Sequence, residues 1–592
     1  MHFRSIRNAF FRFILEGSLI ITVSLHCAWL FFLPLFWELA ERDATYQVAF
    51  DQIFFNTGER TLTLGGGLDH LGTIWIFATV NEMISGSMET ILPHIYYPVG
   101  FDLGKHTGFA WADAVMSRPL IEWLGVPGFY NLHALLTLAL TQTAATILLR
   151  ACRVPLPIAI GLGAFAIMHP FAIEEMGQGR PTQMHWFFHA FYLLALVQMS
   201  KGKHLIFWSL VGGISLSGAC LVYWFGGAAV GFCGLIAYLF TLFHGPHKLK
   251  RFLAASLLGS VAIALALAVT WRISSQFIDG TGESLFPHLQ QEPYHTIDIF
   301  GHTIPVQYIH YLSSWDDLQT LLDDIRIGTP LLVIAALGML WPWGIKNKWP
   351  WMIGLLLAIG IPLGPALQWP GSWTITGYSL LQSVFSPLAR CTIPARMLVA
   401  PVLFILMCAG IGLGAWLNKF RFPPIRWALS WGIGYMILLQ AIDNAPVRNE
   451  LNKGSFGKDI ALYEASQEWQ GGIIDVPLIK SHQSYVQHVF HKQPVLGGPG
   501  LQNVRPLKHQ RYCQRNSVLR ALEDMAEKGI TRSVDPEDMK QLWDDGFRLV
   551  VVYLEMSRTE KEEYQKLFGT GGSYDKRGKR LFLPIPAPDK TQ

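Results

Sequence analysis

Apolar and polar stretches alternate along most of the chain. A helix that crosses a bilayer needs about 20 mainly apolar residues, and we predict eleven such helices. They lie near 15–38, 128–149, 155–173, 185–200, 204–222, 225–243, 252–271, 329–345, 349–367, 395–417 and 426–442. The pattern therefore predicts an α-helical polytopic membrane protein with about eleven spans.

Basic residues give the expected orientation. When the eleven spans alternate, the basic groups between them fall on one side, which the positive-inside rule assigns to the cytoplasm. These groups are Arg4, Arg7 and Arg12; Arg150 and Arg153; Lys201 and Lys203; Lys248, Lys250 and Arg251; Lys346 and Lys348; and Lys419, Arg421 and Arg426. We therefore expect a cytoplasmic N-terminus and an extracytoplasmic C-terminal segment.

The long polar segments then share the opposite side of the membrane. They include residues 39–127, here called the first loop, and residues 174–183, here called the polar turn. We predict a membrane domain over 1–442 and a soluble extracytoplasmic α/β domain over 443–592. In that second domain, 471–479, 547–554 and 580–586 have the pattern of buried strands, and 516–529 and 535–546 have helical spacing with a glycine near the end.

Composition agrees with a membrane protein and excludes other classes. Hydrophobic residues make up 51% of the chain and charged residues 15%, whereas soluble proteins carry about 25% charged residues. The net charge of +4 and the lack of a basic cluster interleaved with aromatics argue against nucleic acid as a partner. The seven cysteines form no CxxC pair, so neither a zinc site nor a disulfide framework is indicated.

The first loop holds the first candidate site, "GGGLDHLGTIW" at 65–75. Asp69 directly precedes an apolar stretch, where a carboxylate can face a cavity at the membrane boundary. The alternative is that Asp69 caps the helix that follows, and both roles can coexist. We interpret the glycines as slack that lets the chain turn back onto the membrane. His70 and His94 are candidate substrate-binding residues without metal-site spacing, and "IYYP" at 95–98 is a candidate interfacial anchor.

The polar turn carries several charged side chains, which is unusual for a short connection. Glu174 and Glu175 can supply a base or a metal ligand, and Arg180 offers a planar donor fork that suits phosphate or carboxylate. Polar side chains at membrane depth usually have a function. A plain connecting turn is the alternative.

Two arginines on the predicted external side oppose the usual placement of basic residues. Arg390 and Arg396 come just before an apolar span, and an anionic lipid phosphate or pyrophosphate would account for them. The alternatives are an ion pair with Asp316 or Asp317, or snorkelling to lipid headgroups.

Several segments, taken in order, resemble a family of large bacterial membrane proteins of the GT-C glycosyltransferase type. Besides Asp69 before "IW", they are "YYPVGFDLG" (96–104), "PGFYNLHALLTLAL" (127–140), "AIGLGAFAIMHPFAIEEMGQGRPTQ" (159–183), "SPLARCTIPARM" (386–397), and "GGIIDVPL" and "HVFHKQPVLGG" in the tail. "HPF" stands where the family more usually has Phe-Ser-Pro. The resemblance covers most of the chain, although each motif is short.

The resemblance implies a GT-C-like fold in the bacterial inner membrane and a polyprenyl-phosphate-linked sugar as donor. It also implies a glycan or lipid acceptor, with membrane lipids as further partners. By position, Asp69 and one of Glu174 and Glu175 would be the catalytic acids, and Arg390 and Arg396 would hold the lipid phosphate. The sequence leaves open whether Mg²⁺ or Mn²⁺ takes part. A non-enzymatic scaffold or export component of envelope polysaccharide assembly is the main alternative, and a transporter is the third.

Overall fold

The computed structural model describes most of the chain. The described residues are 2–41, 45–55, 61–66, 68–86, 91–103, 111–126, 128–202, 204–243, 248–278, 296–299, 302–305, 349–362, 366–369, 372–375, 377–384, 394–445, 453–456, 458–478, 483–498, 506–529, 532–553, 558–569, 572–575 and 580–588.

Helices dominate the first three quarters of the described chain. They are α1 His2–Trp29, α2 Leu33–Ala40, α3 Tyr46–Phe54, α4 Leu68–Ile84, α5 Ala112–Leu124, α6 Gly128–Ala151, α7 Leu156–Met168, α8 Pro170–Gly177, α9 Trp186–Ser200, α10 Leu205–Phe243, α11 Lys248–Ile278, α12 Trp349–Gly360, α13 Gly377–Val384, α14 Val399–Leu417 and α15 Pro423–Asp443. Short 3₁₀ helices lie at Leu30–Phe32, Pro181–Met184 and Pro394–Met397.

Six helices of the described chain are long and apolar enough to cross a membrane, so this is a multi-pass membrane protein. They are Ile14–Ala40, Gly128–Ala151, Leu205–Leu242, Lys248–Ala268, Val399–Leu417 and Pro423–Asp443. The pair α7 and α8 would make a seventh if it counts as one span, bent by 42°. The predicted spans at 185–200 and 349–367 correspond to the shorter helices α9 and α12, and the one at 329–345 lies outside the described residues.

Helix α10 contains a reversal where the sequence predicts a boundary between two spans. Tyr223 has non-helical dihedral angles (φ −147°, ψ 89°). A Cβ on Gly227 would lie 2.7 Å from the Cys220 amide nitrogen, and one on Gly231 would lie 2.9 Å from the Leu216 side chain. Gly227 thus packs against Cys220, and Gly231, further along the chain, packs against Leu216, which lies further back. The two halves are therefore antiparallel neighbours, as the spans predicted at 204–222 and 225–243 require.

The first loop contributes α3, α4, α5 and strand β1 (Thr61–Leu64), with the short strands β2 (Ile91–Leu92) and β3 (Phe101–Asp102). Asn131 of α6, which is fully buried, fixes β1. Its Oδ1 accepts from the Leu64 amide at 2.9 Å, and its Nδ2 donates to the carbonyls of Ile53 and Leu62 at 2.6 and 2.7 Å. One side chain thereby satisfies three backbone groups of the first loop.

The C-terminal segment forms a small α/β unit. Its four-stranded sheet has the order β11-β12-β10-β9, with β9 Gly472–Val476, β10 Phe547–Tyr553, β11 Ser573–Tyr574 and β12 Arg580–Pro584. Strands β9 and β10 are parallel, and β10 and β12 are antiparallel. The helices are α16 Ile460–Glu468, α17 Gln483–His491, α18 Leu507–Arg515, α19 Ser517–Lys528, α20 Pro536–Asp544 and α21 Arg558–Phe568. Two hairpins lie earlier in the chain, at β4 Thr296–Ile299 with β5 His302–Pro305 and β6 Ala366–Trp369 with β7 Ser372–Ile375.

Backbone pairing joins the C-terminal segment to the first loop. Strand β1 pairs antiparallel with β8 (Lys453–Phe456). Val495 bridges to both Ile95 of the first loop and Ile473 of β9. Tyr97 lies edge-on against Phe547 at 5.2 Å between ring centroids. Tyr97, which we expected at the lipid interface, therefore packs against the C-terminal sheet.

Candidate functional site

The residues just before α4 lie across the polar turn, and the two backbones are in direct contact. Gly65 has φ +88°, and a Cβ there would lie 2.6 Å from the Gly179 backbone. Gly179 has φ +74°, and its Cβ would lie 2.3 Å from the Cβ of His70. The Gly66 amide donates to the Gly177 carbonyl at 2.9 Å. Because only glycine fits such positions, these glycines create a close crossing instead of the slack that we expected.

Asp69 and His70 lie in the first turn of α4. Asp69 is the second residue of the helix, where the helix macrodipole favours a carboxylate; its side chain lies outside the described part of the structure. The His70 ring is buried and lies edge-on to Tyr130, with 5.1 Å between ring centroids. Burial lowers the pKa of His70 to about 4. His70 is therefore a neutral imidazole at neutral pH.

The two acids of the polar turn have different surroundings. Glu174 is exposed, whereas Glu175 is buried and its carboxylate lies 3.3 Å from the Arg180 guanidinium. Burial raises the pKa of Glu175, and the positive charges of Arg180 and Arg396 oppose this shift without cancelling it. Arg396 is half-buried in the 3₁₀ helix that precedes α14. Glu175 is thus the buried partner of Arg180, and Glu174 is the acid of the polar turn that a bound molecule can reach.

Side chains behind the polar turn hold its shape. His185 Nδ1 lies 3.0 Å from the Pro181 carbonyl oxygen, and its Nε2 lies 3.2 Å from the Thr137 hydroxyl. Asp113, in the first turn of α5, is buried beside Thr182. Burial raises the pKa of Asp113 to about 7, although the Thr182 hydroxyl opposes the shift. The sequence does not single out Asp113, because the first loop has several acids and none of them reveals its burial locally.

The other predicted site residues are placed as follows. The His94 ring stacks on His488 of α17, with 6.0 Å between ring centroids, so it belongs to the contact with the C-terminal segment. Arg390 lies outside the described residues. Among the side chains that the structure describes, no three His, Cys, Asp or Glu residues are arranged to hold a metal ion.

No protein-family model and no curated protein matches the sequence. The structure, however, is similar to that of the arabinofuranosyltransferase AftD from Mycobacteria, with a TM-score of 0.53 and 13% sequence identity over 91% of this chain. The chain has a GT-C-like fold. The match covers 35% of AftD, so the chain spans about a third of that protein.

Two further solved structures are similar at lower scores. ArnT from Cupriavidus metallidurans, bound to undecaprenyl phosphate, has a TM-score of 0.49 and 12% identity, covering 97% of this chain and 98% of ArnT. The oligosaccharyltransferase AglB from Archaeoglobus fulgidus, in complex with an inhibitory peptide and a dolichol-phosphate, has a TM-score of 0.45 and 11% identity, covering 96% of this chain and 74% of AglB.

Proposed function

We propose that the protein is an inverting glycosyltransferase that acts at the outer face of the bacterial inner membrane. Its donor would be a polyprenyl-phosphate-linked sugar, and its acceptor an envelope glycan or lipid. The observation that carries this proposal is the contact of the first turn of α4, which holds Asp69, with the polar turn, which holds the Glu175–Arg180 ion pair, in a GT-C-like fold. AftD, which shares the fold, is by name a glycosyltransferase.

In the proposed reaction Asp69 is the general base. An acceptor hydroxyl oxygen attacks the anomeric carbon of the donor, and its proton passes to the Asp69 carboxylate. The bond from that carbon to the phosphate oxygen breaks, and the electron pair leaves with the polyprenyl phosphate. A positioned general base contributes about 10²- to 10⁴-fold to such a rate.

Arg396 is proposed to bind the phosphate of the donor and to stabilise the charge that develops as it leaves. A guanidinium can bind two phosphate oxygens at once, and Arg390 would supply a second such group. Because Glu175 is already paired with Arg180, it would hold the arginines in place, while the exposed Glu174 would contact the acceptor.

Carboxylate oxygens are the ligands that Mg²⁺ and Mn²⁺ prefer. The described side chains provide Glu174 and Glu175 but no set of three metal-binding residues. They therefore do not by themselves form a metal site, and the proposed steps rely on the carboxylates and guanidinium groups of the chain.

The test is sugar transfer in proteoliposomes with a panel of undecaprenyl-phosphate-linked hexoses and pentoses. Asp69→Asn should reduce the turnover number by at least about 10²-fold, and Arg396→Ala should raise KM for the donor and lower kcat. Glu122→Gln and Arg118→Ala are matched controls, since they alter an exposed ion pair on α5, and both should behave like the wild type.

Two outcomes would contradict the proposal differently. Full activity of both Asp69→Asn and Arg396→Ala would show that the site is assigned to the wrong residues. A wild-type protein that transfers no sugar from any donor, yet binds an envelope polysaccharide, would instead favour the scaffold or export role.

A further inference from the structure

Helix α17 of the C-terminal segment packs against the first half of α4. A Cβ on Gly72 would lie 3.5 Å from the hydroxyl oxygen of Tyr485. The Tyr485 ring also lies edge-on to Trp75, with 5.4 Å between ring centroids. Tyr485 and Trp75 are both almost completely buried. Gly72 is one helical turn beyond Asp69, so this contact lies next to the turn that carries the proposed base.

The two helices run in the same direction along one another. Beyond Tyr485, His488 lies with Trp75 and Thr79 around a small cavity. Further along, Lys492, just after α17, forms an ion pair with Glu82 near the end of α4. The residue numbers in contact increase together on both helices, so α17 runs alongside α4 from Gly72 to Glu82.

Backbone contacts fix α17 to the sheet of the C-terminal segment. The chain after α17 bridges at Val495 to Ile473 of β9 and to Ile95 of the first loop. The Val495 amide donates to the His94 carbonyl at 2.8 Å, and the Ile473 amide donates to the Pro494 carbonyl at 2.8 Å. The chain that leaves α17 is therefore hydrogen-bonded to both β9 and the first loop, which fixes the C-terminal end of α17 beside α4.

The beginning of α4 is contacted from two nearly opposite sides, at His70 and at Gly72. Successive residues of an α-helix are about 100° apart around its axis, so His70 and Gly72 lie roughly 160° apart on the helix surface. His70 contacts Gly179 of the polar turn, and Gly72 contacts Tyr485. Position 69 falls on the helix surface between these two contacts. A shift of either support would therefore move position 69 relative to the polar turn.

We propose that Tyr485 is a positioning residue for the glycosyl transfer. Through Tyr485, the C-terminal domain would set the distance between the first turn of α4 and the polar turn, and so the position of Asp69. This inference rests on the proposed function. The C-terminal domain would thus help to position a site whose other residues come from the membrane domain.

The test uses the purified full-length chain in nanodiscs and has two readouts. The first is kcat and KM for the donor, and the second is hydrogen exchange of the backbone amides of residues 70–75. Tyr485→Ala should lower kcat by about 10- to 100-fold, because a misplacement of the order of 1 Å has such an effect. KM for the donor should change by less than about threefold, since Arg396 is untouched, and amide exchange at 70–75 should accelerate.

Tyr485→Phe keeps the ring contact with Trp75 but removes the hydroxyl that faces Gly72, so its kcat and its protection from exchange should lie between those of the wild type and Tyr485→Ala. Tyr574→Ala, which changes an exposed residue of the C-terminal sheet, and Lys492→Met, at the far end of the helix pair, should leave both readouts at wild-type values. Protection of the β10 amides reports that the C-terminal domain is folded. If Tyr485→Ala fails to fold, Tyr485→Leu replaces it, with the same expectations.

Wild-type kcat in Tyr485→Ala would overturn the inference. So would a loss of kcat without faster exchange at 70–75, because Tyr485 would then act other than by positioning α4. The exchange measurement needs no turnover. If the wild-type protein lacks transferase activity, the proposed function is wrong. Hydrogen exchange at 70–75 in Tyr485→Ala then still tests whether Tyr485 supports α4.

Discussion

Replacing Gly179 by alanine tests whether the crossing of α4 and the polar turn matters for the reaction. Alanine at φ +74° costs roughly 1 to 2 kcal/mol of backbone strain. Its methyl group would also lie 2.3 Å from the His70 Cβ, whereas ordinary contact begins at 3.4 Å. The two backbones must therefore separate by about 1 Å, which can reduce a rate by about 10²-fold when catalytic groups are misplaced.

Gly86→Ala is the matched control for this substitution. Gly86 lies in the first loop and likewise has a positive φ (+79°), but a Cβ there would meet nothing within 4 Å. Both variants should lower the melting temperature in detergent through strain at positive φ, and Gly179→Ala should lower it further because its methyl group clashes with His70. Only Gly179→Ala should lose about 10²-fold in kcat in the proteoliposome assay. Equal kcat values for the two variants would refute the reasoning.

Two further predictions concern buried polar groups. Burial raises the pKa of Asp113 to about 7, so the folded chain keeps a proton that the unfolded chain releases above about pH 4. Wild-type stability should therefore fall, relative to Asp113→Asn, by roughly 3 kcal/mol between about pH 5 and pH 8; parallel melting curves would contradict this. Asn131→Ala should cost at least about 3 kcal/mol in thermal or denaturant unfolding, because it leaves three backbone groups unpaired. Gln47→Ala, which removes one exposed hydrogen bond, should change stability by less than about 0.5 kcal/mol, and an equal loss in both would contradict this account.

Hydrophobic patterning located the six helices of the described chain that are long and apolar enough to cross a membrane, because a spanning helix must be apolar over most of its length. It separated two spans around Tyr223, and the structure breaks the helix at that residue. The span predicted at 349–367 extends too far, since α12 ends at Gly360 and β6 begins at Ala366. Apolar residues in that stretch fit a strand as well as a helix, and periodicity over so few residues cannot separate the two.

Local patterns also predicted the secondary structure of the C-terminal segment. The strands expected at 471–479, 547–554 and 580–586 are β9, β10 and β12, and the helix expected at 516–529 is α19, which ends before Gly529 at φ +64°. The pairing of β1 with β8 could not be predicted in this way. Those strands are separated by most of the membrane domain, and no local pattern specifies a partner so far along the chain.

The sequence singled out the two segments that meet at the candidate site but not their mutual contacts. Asp69 and the polar turn were selected for their polar chemistry beside apolar stretches, and the structure brings the two segments together. Gly65 and Gly179 are required because two segments distant in sequence come into backbone contact there. The residues around each glycine do not indicate that contact. Tyr485 carries no signal either, because a single tyrosine on a short amphipathic helix has the pattern of an ordinary core residue.

The pairing of β1 with β8 has a consequence for biosynthesis. About 390 residues separate the end of β1 at Leu64 from the start of β8 at Lys453, and ribosomes add about 5 to 20 residues per second. Strand β8 is therefore synthesised roughly 20 to 80 s after β1. During that time the edge of β1 is open to wrong partners. A chain that stops before β8 lacks the strand that pairs with β1, so completion of the first loop depends on synthesis of the C-terminal segment.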